Sequence, residues 1–416
     1  MFASLRERNY RYFLSGQVIS NIGTWMQRIA QDWLVFTLTG NNPVALGVAA
    51  ALQFTPTLFL SLWAGVLADR ADKRKLEMGL QGAIATCALV LGLLDVTGLV
   101  QLWQVFLLCF ALGACTAIET PVRQSFVSEM VGRALVPNAV ALNSTIFNSA
   151  RIIGPAIAGV MITVVGTGWV FLINGISTTA VIAGLFLMDP SKLHRGPSVP
   201  RRRGQLREGL HYVRGRPDLM ALMVLVFVVS TFGITFFVSL AVAAANVFHR
   251  EADGYGLLST MLAVGTLGGA LLAARRSARG KPRLRVLFTG ALGLGVLEFA
   301  AGLMPTYLLF GLALIPTGVA LITFLNTANA TVQIAVSPEM RGRVMGLYML
   351  VVLGGNPLGA PMTGWMASTF GGRSPFLIGG AIAAIAAVTC AIVLMRRGGM
   401  KLPTRSFGRF RVLRKR

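Results

Sequence analysis

The chain has 416 residues, 55% of them apolar and only 13% charged, with a mean hydropathy of +0.69; a soluble domain carries roughly twice that share of charge. The formal net charge of +23 would suit a nucleic-acid partner. The basic residues, however, lie between apolar runs of about 20 residues, the length that crosses a ~30 Å hydrocarbon core, so the partner expected is a lipid bilayer and not nucleic acid.

The first apolar segment, 12–38, carries Gln17, Asn21, Thr24, Arg28, Gln31 and Asp32 at steps of three and four, one polar stripe on a helix. Ionisable side chains at the bilayer centre cost about 2.5–3.5 kcal/mol on insertion scales, so the stripe is expected to face a wet cavity. Asn21, Arg28, Gln31 and Asp32 are candidates for solute binding and proton coupling, with Asp32 the candidate proton carrier. A static Arg28–Asp32 pair at i, i+4 is the structural alternative. The second segment, 44–67, runs into Gly65-Val66-Leu67-Ala68-Asp69-Arg70-Ala71-Asp72-Lys73-Arg74. Here Gly65 allows close packing, Asp69 suits a helix N-terminus, and Arg70 and Arg74 are expected to pair with acids on neighbouring helices.

Segments 77–97 and 101–122 follow. Glu119, near the end of the fourth, stands four residues before Arg123, as an ion pair or as a second candidate proton carrier. The fifth segment, 136–165, places Arg151 about halfway, as an anion anchor or an internal partner of Asp32. It continues as Gly154-Pro155-Ala156-Ile157-Ala158-Gly159, where proline removes a helix hydrogen bond. The sixth segment is 169–188. A polar gap from Asp189 to Pro217 holds Pro190, Pro197, Pro200 and Arg201-Arg202-Arg203, the composition of a linker.

Six further segments lie near 219–246, 255–274, 285–304, 307–330, 344–370 and 375–395. The second half repeats the first weakly. Val127-Ser128-Glu129-Met130 returns as Val336-Ser337-Pro338-Glu339-Met340, and Gly154 to Gly159 as Gly359-Ala360-Pro361-Met362-Thr363-Gly364. Its candidate cavity wall is uncharged: Ser230, Thr231, Thr235, Ser239, Thr323, Asn326 and Asn329, with Phe232, Phe236, Phe237 and Phe324. Glu298 is expected to be snorkelling or structural.

The N-terminus, the even-to-odd gaps and the tail hold 34 of the 38 Lys and Arg. The opposite gaps hold only Arg250 and Arg373. Positive charge marks the cytoplasmic side, which predicts both termini inside and an even number of spans. No cleavable leader is expected, because Arg6, Arg8 and Arg11 precede a long segment without a small-residue cleavage site. His194, His211 and His249 lie far apart, and no metal or cofactor site is expected; no phosphate-binding loop or hydrolase motif is found.

The stretch Gly65 to Arg74 resembles the loop signature of the major facilitator superfamily, with Asp72 where that pattern has glycine. Ala150 to Gly159 looks like a shortened form of the family's antiporter motif. Ile22 to Leu34, Thr120 to Val127 and Asn138 to Ser144 are similar to the branch that contains enterobactin exporters, related more distantly to macrolide and multidrug carriers. The resemblance reaches to about residue 396. It implies an all-α membrane protein of twelve transmembrane helices in two pseudo-symmetric six-helix bundles. The expected parts are bundle 1–188, basic cytoplasmic linker 189–217, bundle 218–396 and basic tail 397–416. The resemblance also implies a cytoplasmic gate at Gly65, Asp69, Arg70, Arg74 and Arg123, and a helix bend at Gly154, Pro155 and Gly159 against the opposite half. The function expected is secondary export of an amphipathic solute, such as a siderophore or drug-like metabolite, in exchange for protons across the bacterial inner membrane, by a monomer. A coupled importer or a lipid-type flippase is the alternative.

Overall fold

The computed structural model describes residues 3–194, 205–277 and 284–396; the surroundings of Gly65 and the side chain of Asp69 lie outside the described part, as do residues 195–204 of the linker and the tail 397–416. Among the described residues there is no strand. Helices α1 (Arg8–Leu38), α2 (Pro43–Arg70), α3 (Lys73–Val96), α4 (Leu102–Val131), α5 (Val136–Val165) and α6 (Thr167–Phe186) pack as one bundle. After the short helix α7 (Gln205–Arg214) comes a second bundle. It comprises α8 (Pro217–Phe232), α9 (Phe236–Val242), α10 (Ala252–Ser277), α11 (Leu284–Leu303), α12 (Tyr307–Ala335), α13 (Arg341–Phe370) and α14 (Ser374–Arg396). Two helix pairs, α2 with α13 and α5 with α10, carry most of the contact between the bundles.

Eleven stretches of the described residues are long and apolar enough to cross a bilayer, α8, α9 and the π turn Ala243–Val247 forming one of them. Helix α1 is not among them, because its polar stripe dilutes its hydropathy. At 31 residues it is nevertheless about 46 Å long, and it lies within the bundle against α5 and α6. It is the twelfth crossing.

Local chemistry fixes the helix ends. Asn42 accepts hydrogen bonds from the amides of Val44 and Ala45 ahead of Pro43, and Thr306 accepts one from Leu309. Asp72, the departure from the family loop, is the N-cap of α3: its carboxylate accepts from the amides of Arg74 and Lys75 at φ −66°, a geometry that does not call for glycine. Gly166 and Gly371, at φ 87° and 90°, turn the chain at the equivalent junctions α5–α6 and α13–α14.

The crossing expected as one helix over 219–246 is broken. Gly233, Ile234 and Thr235 leave the helix between α8 and α9, and the Thr235 side-chain hydroxyl shares a hydrogen bond with that of Thr363 on α13. The flanks of the linker are also packed. The backbone of Asp189 bonds the Asn9 amide group, and the His194 amide donates to the Glu129 carbonyl, tying 189–194 to the first bundle. The Ser191 hydroxyl and amide hold the Asp189 carboxyl below the usual carboxylate range. On the other side, Glu208 of α7 pairs with Arg343 at the start of α13 at 2.8 Å.

Candidate functional site

The bundles are pressed together at the end remote from the Lys/Arg-rich loops. A Cβ on Gly47 would lie 2.5 Å from the Ala360 carbonyl oxygen, and one on Gly364 2.4 Å from that of Pro43. The same holds for α5 and α10, where a Cβ on Gly256 would meet the Pro155 carbonyl oxygen at 2.4 Å and one on Gly159 the Asp253 backbone at 2.9 Å. Small residues let helix backbones approach where lipid offers no hydrophobic drive for association. Toward the basic end the seam parts. Leu58 and Gly354 still adjoin near mid-depth, while Gly342 and Gly346 of α13 have open space around them. The cleft between the bundles therefore opens toward the basic loops and is sealed at the far end.

Asp32 sits in that seal. It is 3% exposed, and its Oδ2 accepts a 2.7 Å hydrogen bond from the hydroxyl of Tyr255, on the opposite bundle. The Arg28–Asp32 ion pair does not form among the described residues, and Asp32 does not engage Arg151 either. The physical reason is the seam itself, which brings a buried donor to the carboxylate from across the interface. Gln31, 1% exposed, donates to Gln53 of α2. The stripe is thus divided: Gln17, Gln31 and Asp32 are buried, and only Asn21, Thr24 and Arg28 keep accessible surface. Asn21 donates to the Gln17 carbonyl one turn back.

Arg28 lies on the cleft side of the seal. Its guanidinium carbon is 4.8 Å from the centroid of Phe54 and 4.3 Å from that of Phe237, rings from α2 and α9. Arg151 of α5 stands over Trp25 at 5.6 Å, and Trp25 stacks on Phe237 at 5.9 Å. Two cations and three rings from both bundles therefore form one cluster.

Other expected residues are placed elsewhere. Asn326 is exposed and Asn329 half-buried, but Ser230, Thr231, Thr235, Ser239 and Thr323 are buried, as are Phe236 and Phe324. Of the phenylalanines expected on that wall, Phe237 is the one that meets the cluster. Glu119 pairs with Arg123 at 2.6 Å and receives the Gln81 amide at 3.5 Å, away from the seam. Gln81 also donates to Glu77, which is fully buried and has one carboxylate oxygen without a partner. Glu77, the first residue of the expected segment 77–97, was not singled out as a candidate because it stands at the edge of that segment beside Lys73-Arg74-Lys75. Glu298 does not snorkel: it is 2% exposed, against Gly233 and Gly379, with Oε2 unpaired. In the expected gate, Arg74 pairs with no acid among the described residues and donates to the carbonyls of Leu185 and Phe186, capping α6. Arg70 is exposed with no hydrogen bond or ion pair among the described residues, as follows from a basic end that is open. Helix α5 passes through Pro155 without interruption, Gly154 facing Trp25 and Gly159 facing α10.

The sequence matches the family described as transmembrane secretion effector over residues 1–405. It is 27% identical over 263 residues to the staphyloferrin A transporter of Staphylococcus aureus, a stretch covering 63% of this chain and 66% of that protein. It is 23% identical over 390 residues to macrolide efflux protein A of Streptococcus pyogenes, covering 91% and 94%. In fold it is similar to a bacterial homologue of the human lysosomal transporter Spinster in an inward-facing, unoccupied conformation. The TM-score is 0.68, with 18% identity and coverage of 92% and 95%.

Proposed function

The chain belongs to the transmembrane secretion effector family of the major facilitator superfamily, transporters and not enzymes, and from that premise we propose that it is a proton-coupled exporter of a medium-to-large amphipathic solute. Relatives named for siderophore transport and macrolide efflux support the solute class and the outward direction. The basic loops face the cytoplasm by the positive-inside rule, so the described conformation is open inward.

The observation that carries the coupling is the buried Tyr255–Asp32 hydrogen bond across the outer seal. A hydrogen bond to a carboxylate is roughly twice as strong as one between neutral groups; with the Arg28 charge one turn away it offsets part of the cost of burying the carboxylate, so the bond ties the charge state of Asp32 to the seal. When the seal parts, Tyr255 withdraws and Asp32 takes a proton from the outer side. Closing the seal restores the bond and releases the proton into the inward cleft, where the next solute enters. Downhill proton entry thus resets the carrier after each export step.

The test is transport in inside-out vesicles with an imposed pH gradient. Asp32→Asn is expected to abolish gradient-driven accumulation while allowing downhill exchange. Undiminished gradient-driven accumulation in that variant would overturn the assignment of Asp32 as proton carrier.

A further inference from the structure

We infer that Arg28 and Arg151 form an anion site, and that the transported solute is an amphipathic anion whose acidic groups they bind while its apolar or aromatic part lies on Trp25, Phe54 and Phe237. This rests on the reading of the inward cleft as the solute path. Neither arginine has a hydrogen bond or ion pair among the described residues. The Nε of Arg28 is buried without a partner, while its two terminal nitrogens and all those of Arg151 keep accessible surface. Guanidinium groups are planar forks that match carboxylate and phosphate oxygens two at a time, and here the forks are unfilled.

The nearby acid does not neutralise both. Asp32, one turn from Arg28, attracts it through space without forming an ion pair, its Oδ2 being taken by Tyr255, and one carboxylate against two guanidinium groups leaves a positive excess. The other titratable groups packed on this region, Cys109 and Tyr255, add no anion at neutral pH by their ordinary values. Aromatic faces hold each guanidinium in place by cation–π attraction, worth up to ~2 kcal/mol when desolvated, without using its hydrogen-bonding edge. Such an arrangement keeps two cations oriented and unsatisfied. A cationic solute is repelled by it, and a neutral one leaves the donors unpaired.

Two xanthene dyes of similar shape and opposite charge, carboxyfluorescein and rhodamine 123, test the site by fluorescence anisotropy on the purified full chain in detergent. The chain is expected to bind carboxyfluorescein at least about tenfold more tightly, with affinity falling as salt rises. Arg28→Gln and Arg151→Gln are each expected to weaken that dye about tenfold, the scale of one lost charge-assisted contact. Arg28→Lys is expected to lose less, and the double Gln variant to prefer rhodamine 123, whose retained binding reports an intact fold. A wild-type preference for rhodamine 123, or a preference for carboxyfluorescein that survives the double substitution, overturns the inference. The assay has no gradient and no direction, so it fails or succeeds independently of the export reading, which the vesicle experiment decides.

Discussion

In the proposed cycle Tyr255 is the residue on which the outer seal turns, because its hydroxyl is the hydrogen-bond donor to a buried carboxylate. A hydrogen bond to a charged group contributes about 1.5–3 kcal/mol, or roughly ten- to hundredfold in the ratio of sealed to open molecules. Tyr255→Phe is expected to shift the population outward by that factor. The shift is read as faster alkylation of a cysteine at Ala360, 2% exposed in the seal, by an impermeant maleimide in a chain without Cys87, Cys109, Cys115 and Cys390. An unchanged alkylation rate would show that the hydrogen bond does not hold the seal. Sequence could single out Arg28, Asp32 and Arg151 because a charge in an apolar run is costly and so conspicuous. It could not single out Tyr255, one aromatic residue in an apolar helix, nor the pairing of Asp32 with it over Arg28. That choice depends on how two helices 223 residues apart are juxtaposed. Glu77 heads the expected segment 77–97 and so read as an end residue, but Asp72 starts α3 one turn earlier and puts it inside the helix.

At the scale of helices, the seam depends on backbone proximity more than on any side-chain bond. Gly47→Val would place a side chain where even a Cβ meets the Ala360 carbonyl at 2.5 Å, a clash that neither rigid helix backbone relieves. This variant is expected to insert and fold, to expose the Ala360 cysteine reporter fully, and to lose transport by more than tenfold. Gly79→Val, whose Cβ would meet nothing within 4 Å, is the matched control and is expected to transport normally. Transport by Gly47→Val at the control rate would mean that the seam has more slack than its geometry allows. The helices themselves were legible from apolar length and from loop charge, which are properties of each segment alone. The break at Gly233 was not, since glycine is common in spans, and this one coincides with packing against another helix, where the Thr235 hydroxyl bonds that of Thr363.

For the molecule as a whole, the charge bias of the loops predicts orientation, while the conformation described is a property of the interface that one sequence shares among all its states. The two bundles touch mainly through α2–α13 and α5–α10, and the closest glycine approaches between them lie toward the sealed end. Bundles that rock as rigid bodies about a central site close one end as they open the other. Preventing closure of the outer seam must therefore bring the basic ends of α2 and α13 together. Spin labels at Arg70 and Gly342, both exposed on the open side, are expected to report a long distance in the wild-type chain, matching the arrangement open at the basic end. With Gly47→Val added, the distribution is expected to move to shorter values, and Tyr255→Phe should populate both distances in the proportion given by its alkylation rate. If Gly47→Val exposes the outer reporter while the Arg70–Gly342 distance stays long, the two ends open independently, and the chain forms a leak in place of an alternating carrier.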